Sequence, residues 1–186
     1  MDELHALGCP ERFSTLADAI PALLDDHAII GTGHSWSLSH EQVDTLRLRT
    51  AEFQKLHAEL AAYRVPLSLE HGDFWANNVA VTPDGYLFFD WSDASISHPF
   101  FSLAGFLRDL VPLFPNVANL HMRLINAYLE PWTCYAPMET LQTAFALARV
   151  LAQLHFAITY QRDILPQIEA RWEMERMVPY YLATLT

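Results

Sequence analysis

Between Ser39 and Tyr63 the apolar positions Val43, Leu46, Phe53, Leu56 and Leu60 recur at intervals of three, four and seven. That spacing places them on one face of a helix. Ser39-His40-Glu41-Gln42 precedes them as a capping-box pattern, and Pro66 lies just beyond. The pattern predicts one helix over 39–63. Upstream, "STLADAIPALLDD" predicts a short helix kinked or split at Pro21, and "GTGHSWSLS" a loop. Downstream, helices are predicted from Pro99 to Leu110, Asn116 to Leu129, Met138 to Tyr160, and from Pro166 or Gln167 to Val178. Pro112, Pro115, Pro131 and Pro137 mark the boundaries of the first three, because the residue before a proline is pushed out of helical conformation.

Residues 79–90 break the helical pattern. "VAV" and "YLFF" are β-branched and aromatic runs separated by Thr82-Pro83-Asp84-Gly85. Pro83 supplies the fixed φ of a turn, and Gly85 the left-handed conformation that closes a three-residue hairpin loop. The fold class that follows is mainly α with a small β-hairpin, in a single domain over 1–186. In such a hairpin the residues just before the first strand and just after the second are neighbours, so Asn78 and Asp90 should emerge side by side.

Composition narrows the function. A formal net charge of -11, with 11 basic residues scattered along the chain, argues against nucleic acid as a partner. The same charge would attract a cationic small molecule, or it is a solvated surface. Cys9 and Cys134 lack the spacing of a disulfide framework or zinc site. No uninterrupted apolar run reaches the roughly 18 residues of a membrane span, and "MDELHALGCPERF" lacks the basic and apolar segments of a signal peptide. The expectation is a soluble, cytoplasmic protein without a membrane partner.

The chemistry concentrates in "HGDFWANN", residues 71–78, and in "FFDW", which ends in Asp90 and Trp91. An amide oxygen and a carboxylate on adjacent strand ends are hard ligands of the type Mg²⁺ takes when phosphates complete its shell. Asp73, across a short loop, can present a further oxygen to accept the hydrogen bond of an attacking hydroxyl. These segments resemble the catalytic and metal-binding segments of the aminoglycoside phosphotransferase and choline kinase-like enzymes, relatives of the protein kinases. The Asp-to-Asn offset is that of the protein-kinase H-R-D-L-x-x-x-N loop.

The resemblance implies that Asp73 is the catalytic base, that His71 braces the catalytic loop, and that Asn78 and Asp90 bind Mg²⁺ and through it ATP. It implies a protein-kinase-like C-terminal lobe acting on a small-molecule hydroxyl acceptor, of the aminoglycoside, choline-like or sugar type. Glu52 to His57 is similar to part of the family's long helix before the catalytic loop. "SHPFFSLAGFL" is similar to the segment after the metal Asp, with Ser102 where the family usually has Asp. Ser keeps a hydrogen bond there but not the charge.

No Gly-rich nucleotide loop is present, and Lys55, the sole lysine, falls inside the 39–63 helix. The N-terminal nucleotide lobe is therefore expected to be absent from these residues. The favoured expectation is a piece of a longer enzyme, inactive by itself, with the lobe interface exposed or buried in a homodimer. A catalytically silent kinase-like binding module is the alternative.

Other constellations admit competing readings. His71, Asp73, Asp90 and His98 could form a metallohydrolase cluster, but no HxH or H-E-x-x-H motif accompanies them. Asp93 can cap the next turn or help position the metal site. Glu130, Glu139, Asp163, Glu169, Glu173 and Glu175 are either acceptor-recognising carboxylates or a solvated helix face. The indole of Trp75 can pack below the loop or line a pocket.

Overall fold

The structure is a computed structural model that describes residues 2–31, 33–169 and 174–186. In chain order the helices are α1 (Asp2–Ala6), α2 (Leu16–Asp25), α3 (His27–Ile30), α4 (His40–Leu48), α5 (Thr50–Ala62), α6 (Phe100–Leu110), α7 (Leu120–Leu129), α8 (Met138–Thr159) and α9 (Met177–Ala183). Between α5 and α6 lie two antiparallel sheets, each of two strands. One pairs β1 (Ser68–Glu70) with β4 (Ser95–Ser97), and the other pairs β2 (Val79–Thr82) with β3 (Gly85–Phe88). The chain clusters into two compact units. One joins the segment up to Phe13 with Leu60–Arg149, and the other joins Ser14–Glu59 with the segment from Val150 onward.

The second unit is helical. Along α2, Leu16, Ala19, Ile20, Leu23 and Leu24 are buried as one stripe, while Pro21 faces solvent. The helix runs through Pro21, so the expected split does not occur; burial of the opposite face outweighs the lost amide. The helix expected over 39–63 is two helices. Arg49 ends α4 with φ -88 and ψ -1. Its side chain is fixed by Glu52 at 2.9 Å, by the carbonyl of Leu185, and by stacking 4.8 Å over the Phe53 ring. Tertiary contacts of one residue thus interrupt an otherwise uniform pattern. The capping box is present: Ser39 Oγ accepts from Gln42 N–H at 3.2 Å and Gln42 Oε1 from Ser39 N–H at 2.9 Å.

Beyond α8 the chain continues through a π-helical turn (Tyr160–Ile164) and a 3-10 turn (Leu165–Gln167). The helix expected from 166 or 167 to Val178 is not formed as such. Ile168 is extended, 170–173 lie outside the described residues, and α9 begins only at Met177. Among the described residues one stretch, Met138–Gln167, is long and apolar enough to cross a membrane, and 61% of its most apolar window is buried in the protein.

The first unit carries the sheets. β4 is buried throughout, with β1 on one side and residues 10–12 on the other. There Arg12 N–H donates to Ile96 O at 3.0 Å, and Ile96 N–H to Pro10 O at 2.8 Å. This small sheet was not expected from sequence: three-residue strands are too short to show an alternating pattern. Behind it Phe13, His98, Phe100 and Phe101 pack as tilted or edge-on rings, with Phe145 of α8 against Phe100. α7 begins at Leu120 rather than Asn116, because Asn119 takes the left-handed conformation (φ 57).

The second sheet is the expected hairpin with a shorter loop. Thr82 pairs with Gly85, leaving Pro83 and Asp84 as a two-residue turn, and Gly85 has φ 139 within the ladder. Unlike β1 and β4, this hairpin is exposed along most of its length.

Replacing Ser39 by Ala removes the hydroxyl that caps α4. The expected loss is about 1 kcal/mol, seen as a lower urea midpoint with unchanged slope. An unchanged midpoint would show that the cap contributes nothing.

Candidate active site

Asn78 closes a 3-10 turn (Ala76–Asn78) and leads directly into β2. Its carbonyl accepts from Phe89 N–H at 3.2 Å, one rung beyond the Val79–Phe88 pair. The strand ends that carry Asn78 and Asp90 are therefore adjacent, as the hairpin requires. The Asn78 side chain is buried, and its Nδ2 donates to the backbone carbonyl of Asp73 at 2.9 Å and to Asp73 Oδ2 at 3.0 Å. This leaves the amide oxygen of Asn78 as its metal-type donor. Asp73 is exposed, with one carboxylate oxygen fixed by Asn78.

His71 is 3% exposed, and its Nε2 lies 3.1 Å from the carbonyl of Phe89. A carbonyl only accepts, so Nε2 carries the proton in this contact. The ring packs at a tilt against Trp91, centroids 4.4 Å apart, and the Trp91 indole N–H donates to Phe88 O at 3.1 Å. His71 thus joins the loop to the far end of β3. Its Nδ1 is buried without a hydrogen-bond partner among the described residues. A cavity of about 170 Å³ lined by His71, Phe74, Trp91, Ser102 and Tyr128 adjoins the ring, with room for ordered water. Tyr128 donates to Pro99 O at 2.7 Å, and burial, then the nearby Glu70 charge, push its hydroxyl pKa up.

The turn after β3 is tightly set. Asp90 has φ 62, a conformation Asp tolerates better than most residues, and its Oδ1 accepts from Ser92 Oγ at 3.1 Å. At Gly72, φ 81, an added Cβ would lie 2.3 Å from the carbonyl oxygen of Asp93. No larger residue fits where the two loops touch. Arg12 Nη1 donates to that same carbonyl at 2.7 Å.

Asp93 is half-buried. Burial raises its carboxyl pKa, the charge of Asp73 adds to the rise, Arg12 opposes it, and Asp90 adds again. Asp73, Asp90 and Asp93 therefore share one field. Among the described residues no three His, Cys, Asp or Glu side chains are grouped to hold a metal. The donor set that fits Mg²⁺ is instead an amide oxygen and an exposed carboxylate on adjacent strand ends, in a negative field.

The other residues singled out from sequence lie elsewhere. His98 is 1% exposed, its Nδ1 accepts from Phe100 N–H at 3.3 Å, and it packs among Phe13, Phe100 and Phe101. It is a core histidine at the start of α6, not a metal ligand. Trp75 is partly exposed, and its carbonyl accepts from Asn78 N–H at 3.0 Å. Glu130, Glu139 and Glu169 are exposed, and Glu173 lies outside the described residues. Both cysteines are free thiols.

Sequence reasoning missed Glu70 and Arg12. Glu70 is fully buried, and its Oε1 accepts from Gly72 N–H at 3.0 Å and from Ser102 Oγ at 3.0 Å. A carboxylate immediately before His71, in a chain with Ser at 102, was the available signal.

The family model described as the phosphotransferase enzyme family matches residues 3–141. No curated protein and no solved structure matches the chain. The matched span covers well over half of the sequence and contains His71, Asp73, Asn78, Asp90 and both sheets. The chain belongs to the phosphotransferase enzyme family.

Proposed function

We propose that this chain provides the acceptor-activating and metal-binding half of an enzyme that transfers the γ-phosphate of ATP to a hydroxyl of a small molecule. Phosphotransferase chemistry, with ATP and Mg²⁺ use in general, comes with the family. The observation that carries the finer reading is the Asn78 amide holding Asp73 Oδ2 beside the strand end that bears Asp90.

Asp73 is the base. One of its oxygens is held by Asn78, and the other can accept the proton of an acceptor hydroxyl and aim its oxygen. His71 keeps the loop against β3 through Phe89. The amide oxygen of Asn78 and the carboxylate of Asp90 would hold Mg²⁺, which when bound neutralises charge on the transferring phosphoryl group. The joint field of Asp73, Asp90 and Asp93 favours an acceptor that carries amines, as aminoglycosides and choline-like compounds do.

The nucleotide is not accounted for by these residues. Val81, Tyr86, Leu87, Phe88, Phe89 and Trp91 are exposed at 41–81% along and beyond the hairpin, and this is the face on which we place a nucleotide-holding lobe. A cytoplasmic, ATP-supplied setting is part of the same reading.

Three measurements test it. In the form that contains the nucleotide lobe, screened against aminoglycosides, choline-like amines, sugars and amino alcohols, Asp73→Ala and Asp90→Ala should each lower phosphate transfer by about 100-fold or more. Turnover within a few-fold of the parent would overturn the assignment. In the chain described here, Mg²⁺ or Mn²⁺ should raise the melting temperature, and Asp90→Ala should abolish that shift.

The third measurement is the pH dependence of Asp93→Asn without metal. The folded pKa of Asp93 is raised, so the unfolded state releases its proton first as pH rises, and stability falls until the folded pKa is passed. Asp93→Asn should therefore be more stable than the parent at pH 7, and the gain should vanish below about pH 3. A gain independent of pH would place its origin outside this carboxyl.

A further inference from the structure

We propose that Glu70 is a positioning residue that sets the catalytic loop from behind, so that the carboxylate supporting Asp73 comes from β1 and not from α6. Its catalytic consequence rests on the function proposed above, but its structural content does not.

Glu70 is the last residue of β1, opposite Ser95 in β4, and is 0% exposed. Its Oε1 accepts from Gly72 N–H at 3.0 Å and from the Ser102 hydroxyl at 3.0 Å, and Oε2 lies 3.5 Å from Ser95 Oγ. Ser102 Oγ in turn accepts from His71 N–H at 3.2 Å. A hydroxyl has one proton, and that proton is committed to Glu70, so a lone pair of the same oxygen faces His71. The two backbone amides that immediately precede Asp73 therefore both terminate on the Glu70 carboxylate, one directly and one through Ser102.

This is a costly arrangement to maintain without a use, since a buried carboxylate is stable only when its oxygens are well satisfied. It also sits where the chain has least freedom. Gly72 has φ 81 and packs against the backbone of Asp93, so orienting its amide fixes the direction in which Asp73 leaves the turn. Ser102, neutral and 8% exposed, relays the charge and does not replace it.

The test is residue-resolved amide hydrogen exchange on the full chain, with global stability followed by urea unfolding. Glu70→Gln keeps the shape but loses the charge, leaving one neutral amide oxygen, a weaker acceptor, for both Gly72 N–H and Ser102 Oγ and placing its NH₂ beside Ser95 Oγ. The His71 and Gly72 amides should exchange about 10-fold faster or more, while the amides of α6 keep their rates. Ser102→Ala, the milder variant if Glu70→Gln does not fold, should speed exchange at His71 and leave Gly72 unchanged. Adding Ser102→Asp to Glu70→Gln should return protection to His71, because it supplies a carboxylate at the relay position.

Where phosphate transfer is measurable in the form that contains the nucleotide lobe, Glu70→Gln should lower kcat, leave the acceptor KM within about twofold, and be partly rescued by Ser102→Asp. The proposal is overturned if Glu70→Gln leaves both amides unchanged, if all amides of the unit accelerate together, or if Ser102→Ala affects His71 and Gly72 alike. Absence of phosphate transfer in the parent would count against the proposed function alone, since the exchange pattern decides the role of Glu70 independently.

Discussion

The site depends on one rung of backbone pairing, the bond from Phe89 N–H to the Asn78 carbonyl. Through it the hairpin is zipped one residue beyond its last ladder pair, and both faces of Phe89 are used, because its carbonyl meets His71 Nε2. Asn78 then reaches back to Asp73 with its side chain. His71, Phe89, Asn78 and Asp73 form a closed circuit in which each member limits the next. A register slip of one residue would turn Asn78 to the opposite face of the hairpin and open the circuit. The short turn is part of this constraint: pairing of Thr82 with Gly85 sets the register from the distal end, and the Asn78–Phe89 bond sets it from the proximal end.

That circuit is held on a base with opposite character. β4 is buried throughout, while β2 and β3 are largely solvated, although they carry Val, Tyr, Leu and Phe side chains. An isolated two-stranded hairpin is marginal in water, so its order here must come from its attached end. Phe74 supplies much of that anchorage, with its ring 4.9 Å from Phe106 of α6 and 5.8 Å from Phe88 of β3. The consequence is a gradient from a fixed loop at 71–78 to an apolar, exposed hairpin tip.

What could be read from the sequence follows from the range of the interactions involved. The capping box at Ser39 and the hairpin with its Asn78 and Asp90 ends depend on neighbours within a few residues, and both were legible. The interruption at Arg49 involves, beside its neighbours Glu52 and Phe53, the carbonyl of Leu185, 136 residues away, which no local pattern announces. The sheet of β1 and β4 joins residues 25 to 29 apart in strands of three, too short for periodicity to register. Asp93 was legible only as one of two options, since its coupling to both Asp73 and Asp90 needs their positions in space. Glu70 was missed for a related reason: beside His71 it resembles any strand residue until Ser102 is brought within 3.0 Å.

The relation between Glu70 and Ser102 bears on how much a departure from a family pattern can mean. Taken alone, Ser102 removes a charge and suggests a loop that has lost its support. In space, the hydroxyl is the middle of a three-membered relay whose charge lies 32 positions earlier in the chain. The backbone amides of His71 and Gly72 require only that an acceptor of sufficient strength be oriented toward them; they do not specify which strand or helix contributes it. A support of this kind can move between elements as long as both face the same turn, and β1 and α6 do so here. In the function proposed for them, Asp73, Asn78 and Asp90 have no such latitude, because their atoms would have to meet at a reacting group and not merely hold a backbone in place. Motif residues that touch chemistry should accordingly stay fixed in sequence, whereas those that support them need only be conserved in space.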